Sequence, residues 1–261
     1  MITSIHNPKI QRVRALMQQR ARREEEHAFV IEGARLIEEA LLSGVPLDLV
    51  LISSQPSPRA THLVTDLGAN QFPIEEVSAE LFQRISDTEN PQGILAITRR
   101  QSHHIPSDWD FIVIADNLRD PGNLGSLLRT SAAAAANAVI LTPQCADVYS
   151  PKVVRAAMGA HFKLPILQKT WEEIILLCRT RSGNPAQLLV SDVESGTPCW
   201  QVDLRQPLAL VIGSEAEGVN AEAQQAADQR IRIPMPGHIE SLNAAVAAGI
   251  LLFEVVRQRC S

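Results

Sequence analysis

The stretch DNLRDPGNLGSLLR, residues 116–129, decides how this chain is read. It lies between the apolar run FIVIA (111–115) and the alanine-rich SAAAAANAVILT (131–142). An apolar run of strand length, then a turn rich in Asp, Asn, Pro and Gly, then a helical segment, is the strand-turn-helix step of an α/β fold. Gly122 and Gly125 permit a tight turn and the close approach of a ligand, and Asn123 offers an amide that both donates and accepts. Arg129, expected one turn into the following helix, is placed to face the same crevice.

The same alternation continues outward. Towards the C-terminus, AVILT (138–142), KLPIL (163–167), LLVSDV (188–193), LALVIG (208–213) and IRIPM (231–235) read as strands with helices between them. Near-continuous apolar runs of this kind suit a parallel sheet covered on both faces. In SPKVVRAAMGA, Ser150 is the expected N-cap and Pro151 the first helical residue. Towards the N-terminus, a helix is expected over 8–23, then the strand AFVIEG, the helical run ARLIEEALLSG, LDLVLIS, PIEEVS, a short helix over Glu80 to Ile85, and GILAIT (93–98). The polar QSHHIPSD breaks the pattern. The expected organisation is therefore α/β throughout: residues 1–100 as one domain, 101–109 as a linker and 110–261 as a second.

With 261 residues, 45% of them hydrophobic and 20% charged, the chain has the composition of a soluble globular protein. The opening MITSIHNPKIQRVR has no apolar signal region and no greasy stretch is long enough to span a bilayer, so the expected location is cytoplasmic. Cys145, Cys178, Cys199 and Cys260 lack metal or disulfide spacing, and the seven histidines are scattered, so no metal is expected. The net charge of −5 hides an asymmetry: residues 1–23 carry Lys9, Arg12, Arg14, Arg20, Arg22 and Arg23 and no acid, +6 in all, which leaves −11 for the rest. A basic arm on an acidic body points to phosphate contacts localised at one end, against the plainer reading of a solvated helix face.

In open α/β sheets ligands gather beyond the carboxyl ends of the strands. Two further loops fit that position: GSEAEG (213–218), where glycines bracket Glu215 and Glu217, and IPMPGHIESLN (233–243), where Ser241 is the expected cap of the helix LNAAVAAGILLFEVV. GNLG is not the GxGxxG of a dinucleotide fold, and no GxxxxGK[ST] phosphate loop exists in the chain.

Together, DPGNLGSLLRT, LVIGSEAEGV and IPMPGHIESLNAAVAAGILL resemble, in order, the three motifs of the SpoU (TrmH-type) class of SPOUT RNA ribose methyltransferases. The resemblance spans nearly all of residues 110–257, including YSPKVVRAAMGAHFKLPI between the motifs. SIHNPKIQRVRAL with AFVIEGARLIEEAL is similar to the ribosomal-protein-like RNA-binding domain attached to many members. Asn137 stands where a glycine is common and Ala157 where a serine is common; Asn137 is expected to keep a left-handed turn. The resemblance implies a trefoil-knotted parallel sheet, a homodimer and S-adenosylmethionine as cofactor. It places cofactor contacts at Gly213, Ile233 and Leu242, and a catalytic and substrate-positioning set at Asn123, Arg129, Glu215, Ser241 and Asn243. The activity implied is 2′-O-methylation of structured RNA, with 23S rRNA favoured because the tRNA-acting relatives usually lack the N-terminal domain. A tRNA ribose methyltransferase and a catalytically silent RNA-binding or assembly factor are the alternatives.

Overall fold

A computed structural model describes residues 1–69, 72–102, 104–214, 218–237 and 239–260. They separate into two compact units, Met1–Ser102 with Tyr149–Phe162, and His103–Val148 with Lys163–Ser261.

The first unit contains α1 (Pro8–Gln18), α2 (Arg20–Glu25), β1 (Ala28–Glu32), α3 (Ala34–Leu42), β2 (Leu47–Ser53), α4 (Pro58–Ala69), β3 (Ile74–Val77), α5 (Ala79–Ile85) and β4 (Ile94–Arg99). The single helix expected over 8–23 is broken at Gln19, whose φ of −118° and ψ of 115° are extended. Arg23 is the reason the break is stable. Its guanidinium is buried and donates to the carbonyls of Leu16 and Met17 at 2.5 and 3.0 Å, satisfying acceptors that the end of α1 leaves open. The strands form a sheet in the order β1-β4-β2-β3, with β4 antiparallel to both neighbours and β2 parallel to β3. One face is covered by Ile10, Val13 and Leu16 of α1 and Leu81 and Phe82 of α5. The other is covered by Leu36, Ile37, Leu63 and Leu67 of α3 and α4, joined by Val154 and Phe162 from far along the chain.

The second unit follows with β5 (Phe111–Ala115), α6 (Pro121–Ala133) and β6 (Ala138–Leu141). The helix α7 (Pro151–Ala157) then belongs to the first unit, where Phe29 stacks near Tyr149 and Phe162 with ring centroids 5.0 and 6.3 Å apart. The chain returns through β7 (Ile166–Gln168), α8 (Trp171–Arg179), β8 (Gln187–Ser191), β9 (Thr197–Pro198), β10 (Leu208–Ile212), α9 (Ala221–Ala226), β11 (Gln229–Arg232) and α10 (Ala244–Arg259). Every strand pair is parallel, in the order β7-β6-β5-β10-β8-β11-β9. Ile112, Ile140, Leu188 and Val211 pack on one face with Trp171 and Ile174 of α8. The alternate residues Val113, Val139, Leu189 and Leu210 point the other way and are just as buried, so both faces are covered. Each such side chain contributes about 1.5–3 kcal/mol by leaving water.

Two local expectations are corrected. The left-handed residue after α6 is Ala135, with φ 54°, and not Asn137. Asn137 instead uses its side-chain oxygen to accept from the amides of Asp110 and Phe111 at 3.0 and 2.9 Å, pinning the start of β5. The cap of α10 is Asn243 and not Ser241. All four cysteines are free thiols, and burial pushes Cys178 up to about 12, so it is a packing residue. Among the described residues, no helix is long and apolar enough to cross a membrane, and no three His, Cys, Asp or Glu side chains are grouped to hold a metal ion.

Candidate active site

The site is built where strands end and helices begin. Beyond β5, Asn117 adopts φ 57° and its amide donates to the Thr142 hydroxyl at 3.0 Å, turning the chain sharply. Asp120 then caps α6 by accepting from the Asn123 amide at 2.8 Å, with Pro121 at the first helical position. On α10, the Asn243 side-chain oxygen accepts from the amides of Ala245 and Val246 at 3.0 and 3.2 Å. Its side-chain nitrogen donates to the Asn123 side-chain oxygen at 2.8 Å. This one contact joins the first and third loops of the sequence and brings the N-termini of two long helices together. Helix N-termini carry partial positive charge and unpaired amides, which suits an anionic group or a developing negative charge.

A cavity of about 540 Å3 lies at the ends of β8, β10 and β11, within the usual size of a small-molecule site. Gly213, Ser214, Ile233, Ser241 and Leu242 all line it. Gly213 is required by close approach: a Cβ there would lie 2.5 Å from the carbonyl carbon and oxygen of Gly218 and 2.7 Å from the Val219 amide nitrogen. Asp192 and Glu194 line the same cavity. Burial works against the charge on Asp192, but hydrogen bonds from Ser195 and the Glu194 amide, with Arg230 nearby, outweigh it and hold the carboxyl below the usual range.

Of the expected site residues, Gly213, Ile233, Leu242 and Ser241 thus share one cavity, and Asn123 and Asn243 are bonded to each other. Arg129 is the ninth residue of α6, deeper in the helix than the one turn expected, and two turns beyond Gly122 on the same side. It is exposed and makes no hydrogen bond or ion pair with a described residue. Glu215 lies outside the described residues. Sequence reasoning passed over the SDVES loop after β8, which holds none of the Gly, Pro or Asn residues that marked the other loops and reaches a glycine only at Gly196.

The basic arm is largely paired. Glu24, Glu25 and Glu26 follow it directly, and the fold turns them back on it: Arg20 meets Glu24 at 2.7 Å, and Arg22 meets Glu25 and Glu26 at 2.6 and 2.8 Å. Arg12 bridges Glu26 and Asp48 at 2.6 and 3.1 Å, and Lys9 pairs with Glu75. Arg14 is half-buried and makes no hydrogen bond or ion pair with a described residue.

Residues 110–253 match the SpoU rRNA Methylase family, and residues 7–96 match the MRM3-like substrate binding domain. The chain belongs to the SpoU rRNA methylase family. A 23S rRNA (uridine(2479)-2′-O)-methyltransferase of Streptomyces viridochromogenes is 32% identical over 274 residues, covering 100% of this chain and 93% of the relative. The 23S rRNA (guanosine(2553)-2′-O)-methyltransferase RlmP of Bacillus subtilis is 30% identical over 229 residues, 88% of each chain. The crystal structure of the SpoU methyltransferase AviRb from Streptomyces viridochromogenes in complex with AdoMet superposes with a TM-score of 0.85 at 30% identity, covering 97% of this chain and 99% of that one.

Proposed function

We propose that this protein is an S-adenosylmethionine-dependent 2′-O-ribose methyltransferase acting on structured ribosomal RNA, 23S rRNA in particular. The observation that carries the proposal is the Asn123–Asn243 contact, which sets two helix N-termini side by side in the unit that holds the glycine-walled cavity. The residues present fit the cofactor. Ile212, Ile231 and Leu251 offer an apolar slot for a flat base, and the ionised Asp192 with Glu194 suits a ligand carrying positive charge.

S-adenosylmethionine, when bound, supplies an electrophilic methyl group. The protein must bring a ribose 2′-hydroxyl into line with it and stabilise the charge that develops as the hydroxyl proton leaves. Arg129 presents a guanidinium that makes no hydrogen bond or ion pair with a described residue, for the ribose oxygen and the neighbouring phosphate, and the family resemblance adds a share in taking the proton. Asn123 and Asn243 hold each other's orientation and supply fixed dipoles; Ser241 offers a hydroxyl at the cavity wall. Glu215 is assigned to orienting Arg129 or its own loop.

Residues 1–100 are proposed to capture RNA and 110–261 to bind cofactor and carry the chemistry, in the cytoplasm where the ribosome is assembled. Within the arm, Arg23 belongs to the helix end, whereas Lys9, Arg14, Arg20 and Arg22 are available, because exposed ion pairs are worth little and yield to a phosphate. A homodimer is proposed through α10. Its inner face is buried against α6, while Val246, Ile250 and Phe253 form an exposed apolar stripe and Gly249 between them leaves open space. The trefoil knot implied by the family is supported by the late strand β10 inserted between β5 and β8.

Methyl transfer from labelled cofactor to total RNA, mapped as alkali-resistant linkages, tests the reading: one site in 23S rRNA is expected. Label in tRNA would favour the tRNA enzyme, and cofactor binding without transfer to any RNA would favour the silent assembly factor. Replacing Lys9, Arg14, Arg20 and Arg22 together with Gln should weaken RNA binding and lower its log-log salt slope by about one unit per lost phosphate contact. Unchanged affinity and slope would return the arm to a solvated helix.

A further inference from the structure

Asp116 is the first residue of the loop after β5, and nothing in the proposed chemistry uses it. It is fully buried. Its carboxylate accepts from the Asn220 amide at 2.7 Å and from the Trp171 indole nitrogen at 3.3 Å, while its own amide donates to the Ile212 carbonyl at 2.9 Å. Ile212 is the residue before Gly213, and Asn220 is the residue after Val219. One residue therefore grips both ends of the loop that supplies Gly213, Ser214, Gly218 and Val219 to the cavity. Within that loop the amides and carbonyls of Ser214 and Gly218 pair reciprocally at 3.0 and 2.9 Å, closing its neck. Asn220 in turn caps α9 by accepting from the Ala223 amide at 2.8 Å.

Resting on the reading of this cavity as the cofactor site, we infer that Asp116 is a positioning residue for cofactor binding: its carboxylate sets the two ends of that loop, Gly213–Ser214 and Gly218–Val219, at the spacing the cavity requires. Both groups facing it are donors, so the position calls for a side chain that only accepts. A carboxylate does so with both oxygens, whereas an amide of the same shape must turn an NH2 towards one of them. Asp116 also begins the turn that leads into α6, so the same residue ties the cofactor loop to the helix bearing Asn123.

The hydrogen bond can be removed from either side. Asn220 has φ −67°, which proline shares, so Asn220→Pro deletes the amide donor and sets its ring Cδ against the Asp116 oxygen, while Asn220→Ala keeps the donor and loses only the cap. Calorimetry with S-adenosylhomocysteine on the full chain should show Asn220→Ala within about threefold of wild type, since losing a cap acts on helix stability. Asn220→Pro and Asp116→Asn should each bind roughly tenfold or more weakly, the effect of leaving a buried group unpaired. The KM for cofactor should rise while the KM for RNA and the kcat at saturating cofactor stay near wild type, a split that general destabilisation would not produce. Equal affinity in the proline and alanine variants overturns the inference. So does a parallel loss of cofactor and RNA binding, or loss of the fold in both Asp116→Asn and Asn220→Pro, which would make the contact a foundation of the sheet. If only one of those two variants folds, its cofactor affinity decides. Absence of S-adenosylhomocysteine binding by wild type would instead overturn the reading of the cavity.

Discussion

Arg129→Ala is expected to abolish methyl transfer while cofactor affinity and the melting temperature of the protein stay near wild type. The guanidinium is exposed, makes no bond to a described residue and does not line the cavity, so its removal costs the fold little, within about 0.5 kcal/mol. What it takes away is a charge at the developing alkoxide, where loss of one stabilising group typically lowers turnover by about 10²–10³-fold. Arg129→Lys should recover little, because a point charge does not replace a planar fork that can address a ribose oxygen and a phosphate together. Single-turnover assays with calorimetry on the same preparations check this. A wild-type rate, or a loss of cofactor affinity as large as the loss of rate, would remove Arg129 from the chemistry.

Gly213→Val should produce the complementary result, loss of cofactor binding with RNA binding retained. A Cβ at this position would lie 2.5 Å from the Gly218 backbone, so the loop must open before any branch of the valine side chain is accommodated. Because the neighbouring atoms are main chain and cannot rotate aside, the wall of the cavity must move, and overpacking of this kind costs about 1–3 kcal/mol, a fall of roughly 5- to 150-fold in cofactor affinity. Gly213→Ala should already weaken binding measurably. Calorimetry with S-adenosylmethionine showing unchanged affinity in the valine variant would take this wall out of the site.

The strands of the larger sheet were legible because they are buried on both faces and so are written as apolar runs that few helices imitate. The three site loops were legible for a related reason, since each places Gly, Pro or Asn directly after such a run. Caps were less legible. Ser241 and Asn243 are both good caps two residues apart, and only the hydrogen bond to Asn123, from 120 positions earlier, settles which one the helix uses. The same holds for Asn137, whose side chain is drawn to the start of β5, leaving Ala135 to take the left-handed turn. The charge of the arm misled for a simpler reason: the count stopped at residue 23, one position before three glutamates that fold back onto it. Charge along a sequence is a one-dimensional sum, whereas ion pairing is decided by which side chains share a surface.

The segment Tyr149–Phe162, which contains α7, is read by sequence as part of the second half of the chain, yet it buries Val154 and Phe162 in the core of the first unit, beside Phe29 and the α3 helix. The two halves are consequently not interchangeable cassettes. A chain started at residue 110 would keep Tyr149–Phe162 but lose the sheet they pack on, presenting a greasy, adhesive face to its neighbours. Recombination that grafts a new recognition domain onto this catalytic half must therefore bring a matching apolar socket with it.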